Sequence, residues 1–233
     1  MKVSVVIPVY NEEKRIKACL DSLMAQTDKP DEIIVVDNNC TDKTIEIVKR
    51  YPEVIVVVEK KQGMTPARNA GFNSARFEIV AKCDADTILP SNWIKQIKFN
   101  FSQNSSIVGL SFSVSINDMK ILGKSTLPFY LWMFIPRLMI GVYPMVGPSY
   151  AIKKNAFDKI KNELCLDDRI VHEDIDLSLH IKKYGKIFHD DELVVASSAR
   201  RIINNPLSFF GEYIFRFFKM MWNHRHIYER TIL

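Results

Sequence analysis

Two aspartates one residue apart, Asp84 and Asp86, follow the apolar run Ile79-Val80-Ala81 in "FEIVAKCDADTILPSNW". Side chains alternate along extended chain, so carboxylates at i and i+2 face the same way at a strand's end. Two acids converging on one point must hold something, or else form a turn and a helix cap. Further acids stand at comparable places. Asp37 closes the apolar run "DEIIVVD", and Glu12 follows "VSVVIPVYN". His172-Glu173-Asp174 precedes "IDLSLHIKKYG", where acids suit a helix start because the dipole favours them.

The elements that must position these acids alternate regularly. "VSVVIPVY" is continuously apolar and β-branched, as in a strand buried on both faces. In the segment after it, Ile16, Cys19, Leu20, Leu23 and Met24 fall on one helical face. "DEIIVVDN", "EVIVVVEK", "FEIVAKCDAD" and "SIVGLSFSV" are expected strands. "TDKTIEIVKRY", "TPARNAGFNSA" and "SNWIKQIKFNF" are expected helices between them. Strand and helix at this spacing imply right-handed crossovers and an α/β fold with a mostly parallel sheet. Ligands of such sheets sit beyond the carboxyl ends of the strands. Tyr10, Glu12, Asp37, Asp84 and Asp86 all fall at that edge, and their convergence marks the site.

Composition narrows the class. The 233 residues suit one sizeable core; 47% are hydrophobic and 25% charged, which excludes wholesale disorder. A net charge of +5 does not repel an anionic partner, and no nucleic-acid partner is expected. Cys19, Cys40, Cys83 and Cys165 stand apart, with no C-x-x-C and no His in ligand spacing. They are read as reduced thiols of a cytosolic protein, not as a disulfide framework or zinc site. The N-terminal apolar run is too brief for a signal peptide, which places the chain on the cytoplasmic side. No G-x-G-x-x-G follows the first strand. The "GKST" at 123–126 lacks the first glycine of a phosphate loop.

Taken together, "VSVVIPVYNEE", "IIVVDNNCTDKT", "GMTPARNAGF", "CDADT" and "HEDIDLSLHIKKYG" resemble, in order and over roughly residues 1–200, the family 2 glycosyltransferases of the GT-A fold. The resemblance implies a nucleoside-diphosphate sugar donor, UDP- or GDP-linked, with Pro8, Tyr10, Glu12 and Asp37 lining the nucleoside pocket. Asp37 would accept a hydrogen bond from the base. Arg68 would meet a phosphate or ribose of the donor in fixed geometry. Asp84 and Asp86 would form the DxD: Asp86 contacts Mg²⁺ or Mn²⁺, and Asp84 reaches the ribose or the metal's water. Asp174, beside Glu173, fills the place of the catalytic base for one in-line displacement with inversion.

Two departures stand out. Ser197 and Ser198 occupy the stretch where many relatives carry a metal-binding His; Arg200 and Arg201 either neutralise the diphosphate instead or are plain surface charge. The Q-x-x-R-W of processive synthases is absent, so a single, hexosyltransferase-like transfer is expected. The expected organisation is a GT-A domain over 1–203, split into a donor half (1–114) and an acceptor half (115–203), with an amphipathic helix over 204–233. The apolar, proline-broken 127–147 stretch and the aromatic, basic tail suit an acceptor glycan or lipid-linked acceptor. They also suit peripheral contact with the inner face of the cell membrane, in cell-envelope glycan synthesis. Core packing or a homodimer interface is the alternative for both segments. The rival readings of the whole are a catalytically inactive nucleotide-sugar-binding or scaffold protein, and a sugar-phosphate nucleotidyltransferase. The latter needs a glycine-rich loop that "PVYNEEKR" does not supply.

Overall fold

The computed structural model describes residues 1–116, 125–198, 200 and 206–224. Among these, seven strands form one sheet: β1 (Val3–Val9), β2 (Glu32–Asp37), β3 (Val54–Val58), β4 (Ile79–Cys83), β5 (Ile107–Ile116), β6 (Ser149–Lys153) and β7 (Lys186–Ser197). Their spatial order is β3-β2-β1-β4-β6-β5-β7. All pairings are parallel except those of β6, which runs antiparallel to β4 and β5 on either side. The helices are α1 (Ile16–Met24), α2 (Thr44–Val48), α3 (Met64–Ser74), α4 (Trp93–Gln103), α5 (Leu127–Ile140), α6 (Lys154–Ile160), α7 (Glu173–Ile181) and α8 (Pro206–Asn223).

Alternation in β1 divides the core. Val3, Val5, Ile7 and Val9 pack with Ile16, Leu20 and Leu23 of α1 and Trp93, Ile94 and Ile97 of α4 on one face. Val6 packs on the other with Ala67 and Phe72 of α3, Phe157 of α6 and Leu177 of α7. All seven residues of β1 and all five of β4 are buried, which is why both read as unbroken apolar runs. A third cluster joins Phe129 and Met133 of α5, Ile175 and Leu179 of α7, and Phe217, Met220 and Met221 of α8.

Three local differences from the sequence expectations have clear causes. The Thr44–Val48 helix is shorter than its segment suggested, and the Arg50 and Tyr51 N–H groups close tighter turns on the Ile47 and Val48 carbonyls. The α5 helix runs through Pro136 and ends at Gly141, whose φ of 80° is the left-handed value that favours glycine. Finally, β4 stops at Cys83, so Asp84 and Asp86 lie in a turn closed by the Thr87 N–H donating to the Asp84 carbonyl at 3.1 Å. That turn, rather than strand alternation, sets their directions.

The connections β1-β2-β3 step outward to one edge of the sheet, and the chain then returns to place β4 on the other side of β1. Such a reversal opens a crevice at the carboxyl ends of the two central strands. Here β1 keeps its register with β2 as far as Val9↔Asp37 but with β4 only as far as Val6↔Lys82. Beyond that point the two strands diverge, and the candidate acids gather around the gap.

Candidate active site

The β1 and β2 ends are built from short polar turns. Asn11 and Asn39 have positive φ, 53° and 68°, a conformation that asparagine tolerates better than most residues. Asn11 accepts the Thr41 N–H at 2.8 Å, and Asp37 Oδ1 accepts the Cys40 N–H at 2.9 Å. Buried Asn38 ties the following loop down, donating to the Glu59 and Lys61 carbonyls and accepting the Gly63 N–H. Pro8 is buried within β1, whereas Tyr10 is exposed at the rim.

On the other side of the gap, the end of β7 is stapled to the Asp84–Asp86 turn. The Ile88 N–H donates to the Ala196 carbonyl at 2.9 Å. This brings Arg200 across the crevice, where its guanidinium donates in a fork to Glu12, at 2.6 Å to Oε1 and 3.0 Å to Oε2. It also reaches Asp86 Oδ2 at 3.5 Å. A cavity of about 170 Å³ opens beside this bridge, lined by Lys14, Arg15, Asp86, Ile88, Ser197 and Ser198 among others. Arg200 thus bridges Glu12 and Asp86 across the crevice; Arg201 lies outside the described residues.

Deeper in, a buried charge network connects β4 to the start of α7. Lys82, fully buried, donates to Asp84 Oδ1 and to the Gly147 carbonyl at 2.7 Å, and lies 3.9 Å from Glu173 Oε1. Arg68, also fully buried, donates to the Glu173 carboxylate and, at 2.6 Å, to the Glu173 carbonyl. Burial alone would drive the Lys82 ammonium to neutrality, but Asp84 and Glu173 beside it hold it charged, well above the usual lysine range. Burial raises the Glu173 carboxyl; the pull of Arg68 and Lys82 opposes this, and Asp174 and Asp84 add to the rise.

Asp174 stands at the edge of this network, half-buried. Its Oδ2 accepts the Gly147 N–H at 2.6 Å and its Oδ1 the Ile175 N–H at 2.8 Å. Gly147 therefore touches Lys82 through its carbonyl and Asp174 through its N–H, fixing the acid on α7 relative to the end of β4. Of the two adjacent acids, Glu173 is enclosed between cations while Asp174 is held by backbone donors alone among the described partners.

Arg68, expected to meet the donor, is buried in this structure. Its guanidinium is directed at Glu173, and in this arrangement it ties α3 to the start of α7. The physical reason is the Glu173 carboxylate, which enters the core only with a cation to meet it. Lys82 and Gly147 escaped the sequence reading. A lysine inside "IVAKC" was the available signal, since a charge in a fully buried strand needs a partner. Asp168 was missed too: it accepts from the Thr65 N–H and hydroxyl and so caps the start of α3.

The acids at the crevice fit a divalent cation in kind and number. Asp86 and Asp84 offer hard carboxylate oxygens, and Mg²⁺-type ions commonly take one or two carboxylates with substrate phosphates and water supplying the rest. Each is already faced by a cation, Asp84 by Lys82 and Asp86 by Arg200. The cation would share Asp86 with Arg200.

Comparison with known proteins follows the same lines. The model of glycosyl transferase family 2 matches residues 4–160. Glycosyltransferase GlyA of Streptococcus pneumoniae is 36% identical over 134 residues, 53% of this chain and 19% of that protein. The cholesterol galactosyltransferase of Borreliella burgdorferi is 27% identical over 186 residues, 75% of this chain and 52% of that protein. The poly(ribitol-phosphate) beta-glucosyltransferase of Bacillus spizizenii is 39% identical over 140 residues, 55% of this chain and 22% of that protein. The matched region thus spans about half or less of these relatives' length. Among solved structures, S. aureus TarS in complex with UDP-GlcNAc superposes with a TM-score of 0.68 at 21% identity, covering 85% of this chain and 58% of that one. The mannosyltransferase PcManGT of Pyrobaculum calidifontis, with GDP-Man and Mn²⁺, gives 0.67 at 21% identity over 85% and 57%. At that identity the likeness speaks for the GT-A fold.

Proposed function

Because this chain belongs to glycosyl transferase family 2, we propose that it moves one sugar from a nucleoside-diphosphate sugar to an acceptor hydroxyl with inversion, with Asp174 as the base. The observation that carries this reading is the junction at Gly147, which holds Asp174 beside the Lys82–Asp84 pair at the mouth of the crevice. Pro8, Tyr10, Glu12 and Asp37 line the nucleoside side, and Arg200 meets the diphosphate from across the gap. Asp86 and Asp84 would hold Mg²⁺ or Mn²⁺, which when bound would offset charge on the diphosphate. Asp174 takes the proton of the acceptor hydroxyl as that oxygen bonds to the anomeric carbon. The bond from that carbon to the phosphate oxygen breaks on the opposite face, and its electron pair leaves with the nucleoside diphosphate. Glu173 and Arg68 act only by fixing where Asp174 stands.

The donor side is tested by titrating UDP and GDP calorimetrically, each with and without Mn²⁺, into wild type and Asp86→Ala. One nucleotide is expected to bind with the metal, and Asp86→Ala to weaken that binding at least tenfold. Equal metal-dependent affinity in the variant would overturn the assignment of Asp86. Tight binding without metal would instead give the charge-neutralising role to Arg200.

The acceptor side is read from an exposed apolar surface. On α5, Leu131, Phe134 and Leu138 are 65–73% exposed, individually 69%, 65% and 73%; on α8, Phe215 and Trp222 are 68% and 70% exposed. The two helices touch through Trp132 and Tyr213, with ring centroids 6.1 Å apart. No helix among the described residues is long and apolar enough to cross a membrane. An apolar face of this kind, with Arg137 and Arg216 on the same helices, suits peripheral contact with an anionic lipid surface at the cytoplasmic face. A lipid-linked or envelope-glycan acceptor would be presented there. The protein is expected to co-sediment with vesicles containing anionic lipid, and Phe215→Glu with Trp222→Glu to abolish this. If wild type stays in the supernatant, the face is covered by something other than lipid, such as a second copy.

A further inference from the structure

Behind the catalytic helix lies a second cluster that the proposed transfer does not use. Asp176 and His180 stand one turn apart on α7, at i and i+4, and so share a face. His224 follows the last turn of α8, its N–H still bonded to the Met220 carbonyl at 3.0 Å. The three side chains are buried, with 0%, 4% and 9% of each residue exposed. One ligand atom from each lies within 4.8 Å of the other two.

The orientation of the donor atoms is that of a metal site. His180 Nδ1 faces Glu163 Oε2 at 3.1 Å, and His224 Nδ1 faces the Met220 carbonyl at 2.9 Å. A carboxylate or carbonyl behind the far ring nitrogen is the usual partner of a metal-binding histidine, since it fixes the tautomer and turns the Nε2 lone pair inward. Asp176 Oδ2 is anchored by the Cys165 N–H at 3.0 Å, leaving Oδ1 directed into the cluster. Asp176 Oδ1 and His180 Nε2 are fully buried yet make no well-directed hydrogen bond, and such atoms call for an explanation. The approaches of His224 Nε2 and His180 Nε2 to Asp176 Oδ1 are 2.9 and 3.6 Å. Donors about 2.0–2.1 Å from a tetrahedral ion lie roughly 3.3 Å from each other, a spacing these two values bracket.

We propose that Asp176, His180 and His224 form a transition-metal site, of the class that takes Zn²⁺, which clamps the end of α8 to the catalytic helix α7. Two imidazoles and one carboxylate match Zn²⁺ and its neighbours, not the all-oxygen shell of Mg²⁺. Water takes the fourth position. The site is separate from Asp84 and Asp86 in residues and in ligand chemistry. It stands whether or not the transfer reading does. In the sequence its ligands are only a D-x-x-x-H on one helix and a distant histidine, with no cysteine pair to mark them.

The test uses the full chain, stripped with chelator and titrated with Co²⁺ alone in the absence of nucleotide. One equivalent is expected to bind with the strong visible absorption of four-coordinate cobalt, and Zn²⁺ to displace it. Saturating Zn²⁺ should raise Tm by roughly 5–10 °C, the size expected when a ligand binds only the folded state well above its Kd. His180→Gln should lose the band, and Asp86→Ala should keep it. Should His180→Gln fail to fold, Glu163→Gln carries the test: that carboxylate is partly exposed, and losing such a partner weakens metal binding about 10–100-fold. The proposal fails if wild type shows no such band, if Glu163→Gln and His180→Gln bind as wild type does, or if Asp86→Ala abolishes the signal. A metal-free protein of unchanged Tm in Zn²⁺ would make the cluster a plain imidazolium–carboxylate pair.

Discussion

Asp174→Asn should bind the nucleoside diphosphate as wild type does and transfer sugar about 10²–10⁴-fold more slowly, the usual contribution of a positioned general base. The substitution is nearly isosteric. Its carbonyl oxygen can still accept the Gly147 N–H now held at 2.6 Å, so the loop that also receives Lys82 keeps its place. What disappears is the basic lone pair, the negative charge and the acceptor of the Ile175 N–H, now 2.8 Å from Oδ1. A fall in kcat with unchanged nucleotide Kd separates this from a binding defect, because an interaction needed only in the transition state leaves ground-state affinity alone. Steady-state transfer assays beside calorimetry on the same preparation give both numbers. Near-normal turnover would exclude Asp174 as the base. Glu173 would then be the adjacent candidate, although it is enclosed by Arg68 and Lys82 and would first have to leave both.

The difference between these two neighbours shows which information was local to the sequence. Strands β1 to β5 were legible because β-branched apolar runs alternate with helix-period segments, and that pattern needs no partner to be read. The acids at the strand ends were legible for the same reason: topology sends the carboxyl ends of the parallel strands to one edge. Strand β6 was not. "SYAIK" is brief, and its antiparallel place between β4 and β5 follows from pairings such as Ala81↔Ala151 and Leu110↔Ala151 that no local pattern encodes. The role of Arg68 was hidden likewise, since "ARN" at a helix start looks the same whether the guanidinium turns to solvent, to a phosphate or inward. Only the approach of Glu173, 105 positions away, decides it. Asp176, His180 and His224 share that difficulty: their meeting depends on where α8 lands.

Arg68→Met should destabilise the protein by about 3–5 kcal/mol, the typical cost of removing one partner of a buried pair and leaving the other uncompensated. Methionine retains much of the arginine stem's packing, so the loss would measure charge and hydrogen bonding more than volume. Glu173, whose side chain is 11% exposed, would keep only Lys82, 3.9 Å away and already bonded to Asp84 and Gly147. For a chain of this size the change corresponds to a fall in Tm of roughly 10 °C, measurable by thermal unfolding. Adding Glu173→Gln should cost less in this background than in wild type, because the two residues share one interaction and a double-mutant cycle exposes the coupling. The same variant decides between the two places a guanidinium could act. An arginine that touched the donor would cost nucleotide affinity at nearly constant Tm. One that holds α7 costs Tm, and the folded fraction below the transition still binds nucleotide, while turnover falls as Asp174 loses its fixed position. Unchanged Tm with weakened UDP or GDP binding would return Arg68 to the crevice.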